Sequence, residues 1–189
     1  MSTRQTLETD ILGRSIEFEY AAHWVGYSLF LLRLVMGWTL FQGGITKVIT
    51  HFDANPENDW TAAGFLMNVP DGNPLVDVWA SMAGNPLIDA LNMWGLTLTG
   101  LALIVGAFVR WSAFWGAIMM LFYWAAALQG GLLAGLPLAH GWVVDDHLVY
   151  AVLLFGLGAF GAGRILGVDA RLEETGVVRN NRWLVYLLG

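Results

Sequence analysis

The feature that most constrains this fold is a set of four long apolar segments in a chain of 189 residues. They lie at about residues 24–48, 87–109, 111–133 and 147–166. A helix needs roughly 20 apolar residues to cross the hydrocarbon of a bilayer. Because only 13% of the residues are charged, against about 25% in soluble domains, the chain cannot cover itself with a polar surface. The sequence therefore predicts an integral membrane protein.

The connections between these segments predict the architecture. Short connections place consecutive helices side by side and antiparallel, so the predicted fold is all-α, an up-down bundle of four transmembrane helices at residues 23–166. Within it, the stretch at about 51–86 is too long for a bare loop. Its two apolar runs, "DWTAAGFLMNV" and "LVDVWASMAG", predict short interfacial helices that form an outer lid over the bundle.

Two flanking segments complete the predicted organisation. In residues 1–22 the run "SIEFEY" alternates, while Leu7, Ile11 and Phe18 follow a rough helical spacing; the prediction is a helix at the membrane surface. In residues 167–189, the run "RWLVYLL" has the composition of an interfacial anchor. The bundle is therefore expected in membrane lipid, and the segments at the two ends of the chain are expected at the membrane surface.

The arginine distribution predicts the orientation of the bundle. With four spans, one side of the membrane holds a single basic residue, Lys47, and the other side holds seven. Those seven are Arg4, Arg14, Arg110, Arg164, Arg171, Arg179 and Arg182. Since basic residues concentrate on the cytoplasmic side of membrane proteins, both termini of a multi-pass cell-membrane protein are expected in the cytoplasm.

The first span carries a polar stripe along one face. At 3.6 residues per turn the stripe consists of Arg33, Gly37, Leu40, Gly44 and Lys47. Two glycines between two cations predict a face that neighbouring helices approach closely. Arg33 lies about 13 Å inside the span by helical rise, where an unpaired charge costs several kcal/mol. It therefore either ties helices together or faces a polar cavity that holds a ligand oxygen.

The fourth span opens with the residues "DDHLVY" at positions 145–150. Asp145 or Asp146 can cap the helix by accepting from its free backbone N–H groups. If the helix begins near Asp146, then Asp146, His147 and Tyr150 share one face at the outer end. An acid, an imidazole and a phenol there can exchange protons with a lipophilic redox carrier. Capping and ligand binding both remain open for this stretch.

Residue types also exclude or disfavour several chemistries. The chain has no cysteine, which excludes thiolate-held iron–sulfur and zinc sites. Haem is not expected, because His23 and His147 are predicted at opposite faces of the membrane. A metal site from His140, Asp145, Asp146 and His147 lacks a diagnostic spacing, so no metal is expected. A net charge of −6 without a basic stripe disfavours nucleic acid as a partner.

Three stretches resemble the DoxX/DoxD family of four-helix membrane proteins: "LLRLVMGWTLFQGGITKV", "GNPLIDALNMWGLTLTGLALIVGAFVRWSAFWGAIMMLFYWAA" and "DDHLVYAVLLFGLGAFGAGRILGVDARL". The resemblance spans about residues 24–172, and "DWTAAGFL" in the outer region is similar to the DoxD branch. DoxD is the membrane subunit of a thiosulfate:quinone oxidoreductase and works with a separate partner subunit. The resemblance therefore implies a quinone-binding membrane protein that works with another subunit or as a homo-oligomer.

This implied function assigns roles to residues of the bundle. A quinone head is flat, apolar on its faces and polar at two carbonyls, so it needs aromatic walls and one or two donors. His147 and Asp146 are the predicted catalytic residues, and Arg33, Trp124 and Tyr150 are predicted to bind the quinone. An alternative role for Trp124 is in the aromatic belt of the membrane interface. The alternative function is a non-catalytic scaffold or assembly factor of a redox complex, in which buried charges set the helix pairing.

Overall fold

A computed structural model describes residues 4–53, 59–128 and 144–189 of the chain. The described part opens with two strands, β1 (Arg4–Ile11) and β2 (Arg14–Ala21). Four longer helices follow with short helices between and after them. In chain order the helices are α1 (Ala22–His51), α2 (Ala63–Leu66), α3 (Val76–Met82), α4 (Pro86–Val105), α5 (Val109–Ala127), α6 (Asp146–Ala159), α7 (Asp169–Glu173) and α8 (Gly176–Asn180). Two 3₁₀ turns lie at Ala162–Arg164 and Arg182–Tyr186.

Glycines let α1 and α4 pack backbone to backbone. A methyl group on Gly44 would lie 2.9 Å from the carbonyl carbon of Leu96, and one on Gly37 would lie 2.9 Å from the amide nitrogen of Ile104. The two helices are antiparallel, because the later glycine of α1 meets the earlier part of α4. The predicted stripe on α1 is confirmed, since Arg33, Gly37, Leu40 and Gly44 are all buried.

The same antiparallel pattern continues through α5 and α6. A methyl group on Gly116 of α5 would lie 3.0 Å from the Thr99 side chain of α4 and 3.2 Å from Leu154 of α6. Gly158 of α6 lies opposite Ala113 of α5. The core shared by the four helices is apolar and includes Met36, Leu40, Leu96, Leu103, Met120 and Leu154. We name the two ends of this bundle by a buried or half-buried side chain near each: the Arg33 end, where α1 begins, and the His147 end, where α6 begins.

Side chains from distant segments close both ends of α5. At its amino end, Asp169 accepts from Phe108 N at 2.7 Å and from Val109 N at 3.0 Å. At its carboxyl end, Asn73 Nδ2 donates to Ala125 O at 2.8 Å and to two further backbone carbonyls, those of Ala126 and Leu128. These bonds satisfy groups that a helix leaves unpaired at its ends. Both capping side chains are buried, so α5 is held within the bundle at each end.

The prediction of a surface helix in residues 1–22 is wrong, because β1 and β2 form an antiparallel hairpin. All-α is therefore not a complete description of the fold. The alternation in "SIEFEY" determines the structure, since it places Ile16, Phe18 and Tyr20 on one face of a strand. The turn residues Leu12 and Gly13 have φ values of 52° and 76°, as in a type I′ hairpin turn. Leu-Gly is an unusual sequence for that turn, which is why the hairpin was not predicted.

The fourth apolar segment is helical over a shorter range than predicted. It was expected at 147–166, but α6 ends at Ala159, and Gly161 then turns the chain with φ of 63°. Its 14 residues rise about 21 Å, which is less than the roughly 30 Å hydrocarbon core. The third segment was expected to reach residue 133; α5 ends at Ala127, and residues 129–133 lie outside the described part.

The predicted outer lid and tail are observed in part. The helices α2 and α3 lie in the two apolar runs of the lid, as expected. In the tail, Trp183 and Tyr186 are exposed, which suits an interfacial anchor, whereas Leu188 is buried against the bundle. Gly189 N donates to Asp169 Oδ2 at 3.0 Å, so the tail is also part of the core packing.

The outer surface of the bundle is apolar. Two helices, Ala22–His51 and Pro86–Val105, are long and apolar enough to cross a membrane by length and composition. Large apolar side chains on the long helices face away from the core, including Val35, Trp38, Leu98, Phe114, Val152 and Phe155. Polar residues are instead found inside, among them Arg33, Thr97 and Ser112. This arrangement suits a protein surrounded by lipid rather than water.

Candidate functional site at the His147 end

The short helices of the lid are fastened to the long helices by polar contacts. Asp89, in the first turn of α4, accepts from Ala62 N at 2.7 Å just before α2. His51 Nδ1 lies 2.9 Å from Trp60 O, and the Trp60 ring lies under the amine of Lys47 at 5.2 Å. The lid is therefore held against α1 and α4 at a defined position, which determines what lies beneath it.

His147 is held at the start of α6 by an aspartate next to it. Asp145 is the N-cap of α6: its Oδ1 accepts from Leu148 N at 2.9 Å, and its Oδ2 lies 2.8 Å from His147 Nδ1. The Asp146 carboxylate is 3.4 Å from the same nitrogen and is largely exposed. Contact with Asp145 through Nδ1 leaves Nε2 of the imidazole as the nitrogen that can face a ligand. Capping and imidazole orientation are thus both carried out by Asp145.

Beside His147 lies a tyrosine whose polar group is buried. The ring of Tyr123, on α5, is 5.5 Å from the His147 ring and 6.2 Å from the Phe65 ring of the lid, centroid to centroid. The Tyr123 hydroxyl lies close to the Asn92 side chain on α4, and among the described residues neither this hydroxyl nor Asn92 Oδ1 makes a hydrogen bond of good geometry. Buried polar groups are nearly always paired in folded proteins. Asn92 and Tyr123 therefore form a buried polar pair between neighbouring helices, beside His147.

The predicted site residues divide between this cluster and the rest of the bundle. Tyr150 is half-buried and packs against the core one turn after His147. Trp124 is half-buried next to Tyr123. Asp146 is exposed beside His147 and provides a second carboxylate near the imidazole. The structure therefore places Asp146, His147, Trp124 and Tyr150 at one end of the bundle, while none of their predicted roles is tested by this placement.

Arg33 is at the other end of the bundle. It is fully buried, and its Nη1 donates to Ala162 O at 2.8 Å, just beyond the end of α6. His147 is at the beginning of the same helix, so the two side chains are separated by about 20 Å of helical rise. The expectation that Arg33 shares a pocket with His147 does not agree with this geometry. Arg33 instead lies against the backbones of Gly106 and Gly167.

Some members of the cluster were visible in the sequence, but not in their observed roles. Asp145 was predicted only as an alternative cap. Tyr123 belongs to the aromatic run of the third segment, which is more often a membrane belt. Asn92 recurs at helical spacing with Thr99, which is typical of interhelical contacts. Only the tertiary structure shows that Asn92 and Tyr123 meet, because such a contact depends on which helices become neighbours.

The residues at the start of α6 can also be considered as metal ligands. One atom each of Asp145, Asp146 and His147 lie within 4.8 Å of one another. His140, the fourth candidate from the sequence, lies outside the described residues. The Nδ1 atom of His147 is in hydrogen-bonding contact with Asp145, so the described geometry favours an oriented imidazole.

The fold and the buried polar side chains define a helical membrane protein with an apolar outer surface. Comparison with protein families then identifies the group. The family model for DoxX matches residues 28–129, which is more than half of the chain, and the chain belongs to the DoxX family. The matched range contains α1, the lid, α4 and α5, and so includes Asn92 and Tyr123. No curated protein matches the chain, and no solved structure matches it.

Proposed function

We propose that this DoxX-family membrane protein is the quinone-binding subunit of an oxidoreductase, with the quinone head at the His147 end of the bundle. The observation that supports this most directly is the buried polar pair of Tyr123 and Asn92 beside His147, whose hydrogen-bonding groups have no good partner among the described residues besides each other. A quinone takes up two electrons and two protons to become a quinol. The chain has no cysteine for a thiolate-bound cluster, so a separate subunit that oxidises the donor is the proposed source of electrons.

The residue types at this end suit both redox states of such a ligand. The Tyr123 hydroxyl can donate to a quinone carbonyl, and the Asn92 carbonyl oxygen can accept from a quinol hydroxyl. The rings of Tyr123, His147 and Phe65 provide aromatic surfaces for a flat head group. Phe65 is 48% exposed, so the cluster lies close to the surface of the protein, where a lipophilic molecule can approach from the bilayer.

His147 is the proposed proton-exchanging group. Asp145 fixes its orientation through Nδ1, and Asp146 provides a second negative charge near it. The imidazole can pass a proton from Nε2 to a ligand oxygen and take one up from water. His147 is half-buried rather than enclosed, so water can reach it. The arginine asymmetry supports a multi-pass arrangement of four spans in which this end faces away from the cytoplasm.

A quinone titration tests this proposal. The parent protein and the variant His147→Gln, in nanodiscs, would be titrated with decylubiquinone while quenching of tryptophan fluorescence is followed. We expect the parent to bind and His147→Gln to bind at least several-fold more weakly. Arg33→Met is the matched control at the opposite end, where we expect unchanged affinity. An unchanged affinity of His147→Gln, or a parent that does not bind, would contradict the proposal.

The second function is a non-catalytic scaffold for a redox complex. It is favoured by the buried contacts of Arg33 and Asp169, which serve helix pairing without any ligand. A scaffold predicts the opposite pattern from a quinone site. Arg33→Met would weaken assembly with a partner subunit in pull-down experiments, whereas His147→Gln would leave both assembly and quinone titration unaffected.

A further inference from the structure

The hairpin of β1 and β2 is amphipathic, with mainly apolar side chains on one face and mainly acidic side chains on the other. Its register places Leu7 opposite Phe18 and Glu8 opposite Glu17. Because successive side chains point to opposite faces, one face is apolar and the other is acidic. The mainly apolar face carries Leu7, Ile11, Ile16, Phe18 and Tyr20, together with Gln5, Thr9 and Arg14. The mainly acidic face carries Glu8, Asp10, Glu17 and Glu19, together with Arg4, Thr6, Ser15 and Ala21.

The apolar face is not covered by the described part of the protein. Leu7 and Ile16 are each 38% exposed, Phe18 is 49% exposed and Ile11 is 50% exposed. An isolated two-stranded hairpin is marginally stable in water and needs its apolar face packed against something. The face therefore requires a further surface, and its chemistry restricts what that surface is.

The tip of the hairpin provides an independent observation. Leu12 is 99% exposed and has φ of 52°, a backbone region that L residues other than Asn and Asp rarely adopt. Asn-Gly is the preferred sequence for this turn, so leucine is unfavourable here both for the backbone and for its contact with water. A fully protruding leucine in a strained position indicates that the tip contacts an apolar medium.

The position of the hairpin identifies that medium as lipid. The strand β2 ends at Ala21 and the helix α1 begins at Ala22 without a linker, so the hairpin starts where a membrane helix starts. The first turns of α1 carry Trp24 and Tyr27, which are 66% and 60% exposed, and such aromatics concentrate at the membrane interface. The acidic face, turned away, stays in water. We propose that the hairpin is a lipid-binding element that lays its apolar face and Leu12 on the surface of the bilayer.

If the hairpin lies on the bilayer, its two faces have different environments, which spin labels on each face can distinguish. The chain has no cysteine, so single cysteines can be introduced without altering any other residue. Thr9 lies on the apolar face and Thr6 on the acidic face, which makes Thr9→Cys and Thr6→Cys a pair matched in residue type. In nanodiscs of phosphatidylcholine and phosphatidylglycerol, we expect the Thr9 label to be accessible to oxygen and shielded from a water-soluble nickel chelate. The Thr6 label should show the reverse.

A second variant tests the role of the tip while preserving the turn. Leu12→Asn provides the sequence that the type I′ turn prefers and removes the apolar side chain. In this background we expect the Thr9 label to become more accessible to nickel, by several-fold. Labels at Thr6 and Glu19, which are directly opposite, broaden one another's spectra while the strands are paired and so verify the hairpin in the same nanodiscs.

Three outcomes would overturn the proposal. Equal nickel accessibility at Thr9 and Thr6 would place both faces in water. Shielding of Thr9 from both oxygen and nickel would show that protein, either a partner or a second copy, covers the face. Absence of spectral broadening between labels at Thr6 and Glu19, in the protein that retains Leu12, would show that the strands are not paired in lipid.

Discussion

The two ends of the helical bundle differ in the hydrogen bonds that their buried polar groups make. At the Arg33 end, Asp169 accepts from three backbone amides, those of Phe108, Val109 and Gly189. At the His147 end, Trp79 Nε1 has no hydrogen-bond partner among the described residues, and the Tyr123 hydroxyl and Asn92 Oδ1 have no good partner outside their own pair. At the Arg33 end the buried side-chain atom without a partner among the described residues is Arg33 Nε, while Nη1 of the same side chain donates to Ala162 O. One end is therefore closed by its own hydrogen bonds, and the other retains polar groups that can bind something else.

This difference teaches that a buried charge and a functional site need not coincide. Arg33 is the most conspicuous polar residue of the apolar segments, yet its surroundings are those of a structural contact. The Tyr123 and Asn92 side chains at the His147 end are uncharged, but they have no good hydrogen-bond partner besides each other and lie near the surface. If the comparison is right, changes at the Arg33 end affect the free energy of unfolding, and changes at the His147 end affect ligand affinity.

The largest effect is expected from Asp169→Ala. The substitution leaves three backbone N–H groups without an acceptor and removes a carboxylate that interacts electrostatically with buried Arg33. Buried groups that lose a charged partner destabilise a protein by about 3–5 kcal/mol. Thermal unfolding in detergent, followed by circular dichroism, measures the change. If the free energy of unfolding fell by less than about 1 kcal/mol, the hydrogen bonds of Asp169 would not stabilise the Arg33 end as proposed.

A smaller loss is expected from Asn73→Ala, the corresponding change at the opposite end of α5. It removes donors to the Ala125, Ala126 and Leu128 carbonyls, which are neutral hydrogen bonds worth about 1 kcal/mol each at most in net terms. We expect the free energy of unfolding to fall by about 1–2 kcal/mol. The same unfolding assay applies, and a loss equal to that of Asp169→Ala would remove the proposed asymmetry between the ends.

Tyr123→Phe is expected to separate stability from binding. Among the described residues the polar neighbour of the hydroxyl is the Asn92 side chain, and their contact does not have good hydrogen-bond geometry. We therefore expect its removal to lower the free energy of unfolding by no more than about 1 kcal/mol. The affinity for decylubiquinone should fall by about fivefold, as expected for one lost hydrogen bond. A variant that is clearly less stable than the parent would show that the hydroxyl serves the fold.

The smallest effect is expected from Asp146→Asn. Asp145, rather than Asp146, is the cap of α6 and the closer partner of His147, and Asp146 is largely exposed. We expect a change in the free energy of unfolding within about 0.5 kcal/mol and a small loss of quinone affinity. Asp145→Asn is the informative comparison, because asparagine keeps the cap but removes the charge at 2.8 Å. If Asp146→Asn weakened binding more than Asp145→Asn, the assignment of the two aspartates would be reversed.

The sequence predicted those parts of the molecule that depend on local patterns. The stripe on α1, the two lid helices and a cap at Asp145 all follow from residue spacing and end signals. The hairpin was not predicted because Leu7, Ile11 and Phe18 fit a helix as well as the observed strands. In addition, Leu-Gly is not a sequence that signals a hairpin turn. That all four long helices cross the membrane stays a prediction, as does the orientation of the termini.

The site could be predicted less well, because it depends on which helices become neighbours. Arg33 and His147 were placed in one pocket because a quinone head needs donors and aromatic walls, which these residue types supply, but α6 separates them along its length. Asp169 and Asn73 had no visible role in the sequence, since each acts on a helix 50–60 positions away. Spacing along one helix cannot reveal that kind of contact.

The capping of α5 by Asp169 has a consequence for how the protein is made. Val109 is synthesised 60 residues before Asp169, and at 5–20 residues per second the ribosome needs about 3–12 seconds to supply the cap. During that interval the amino end of α5 has neither its acceptor nor the tail that later covers it. The amino end of α5 therefore reaches its final packing only after the tail has been synthesised.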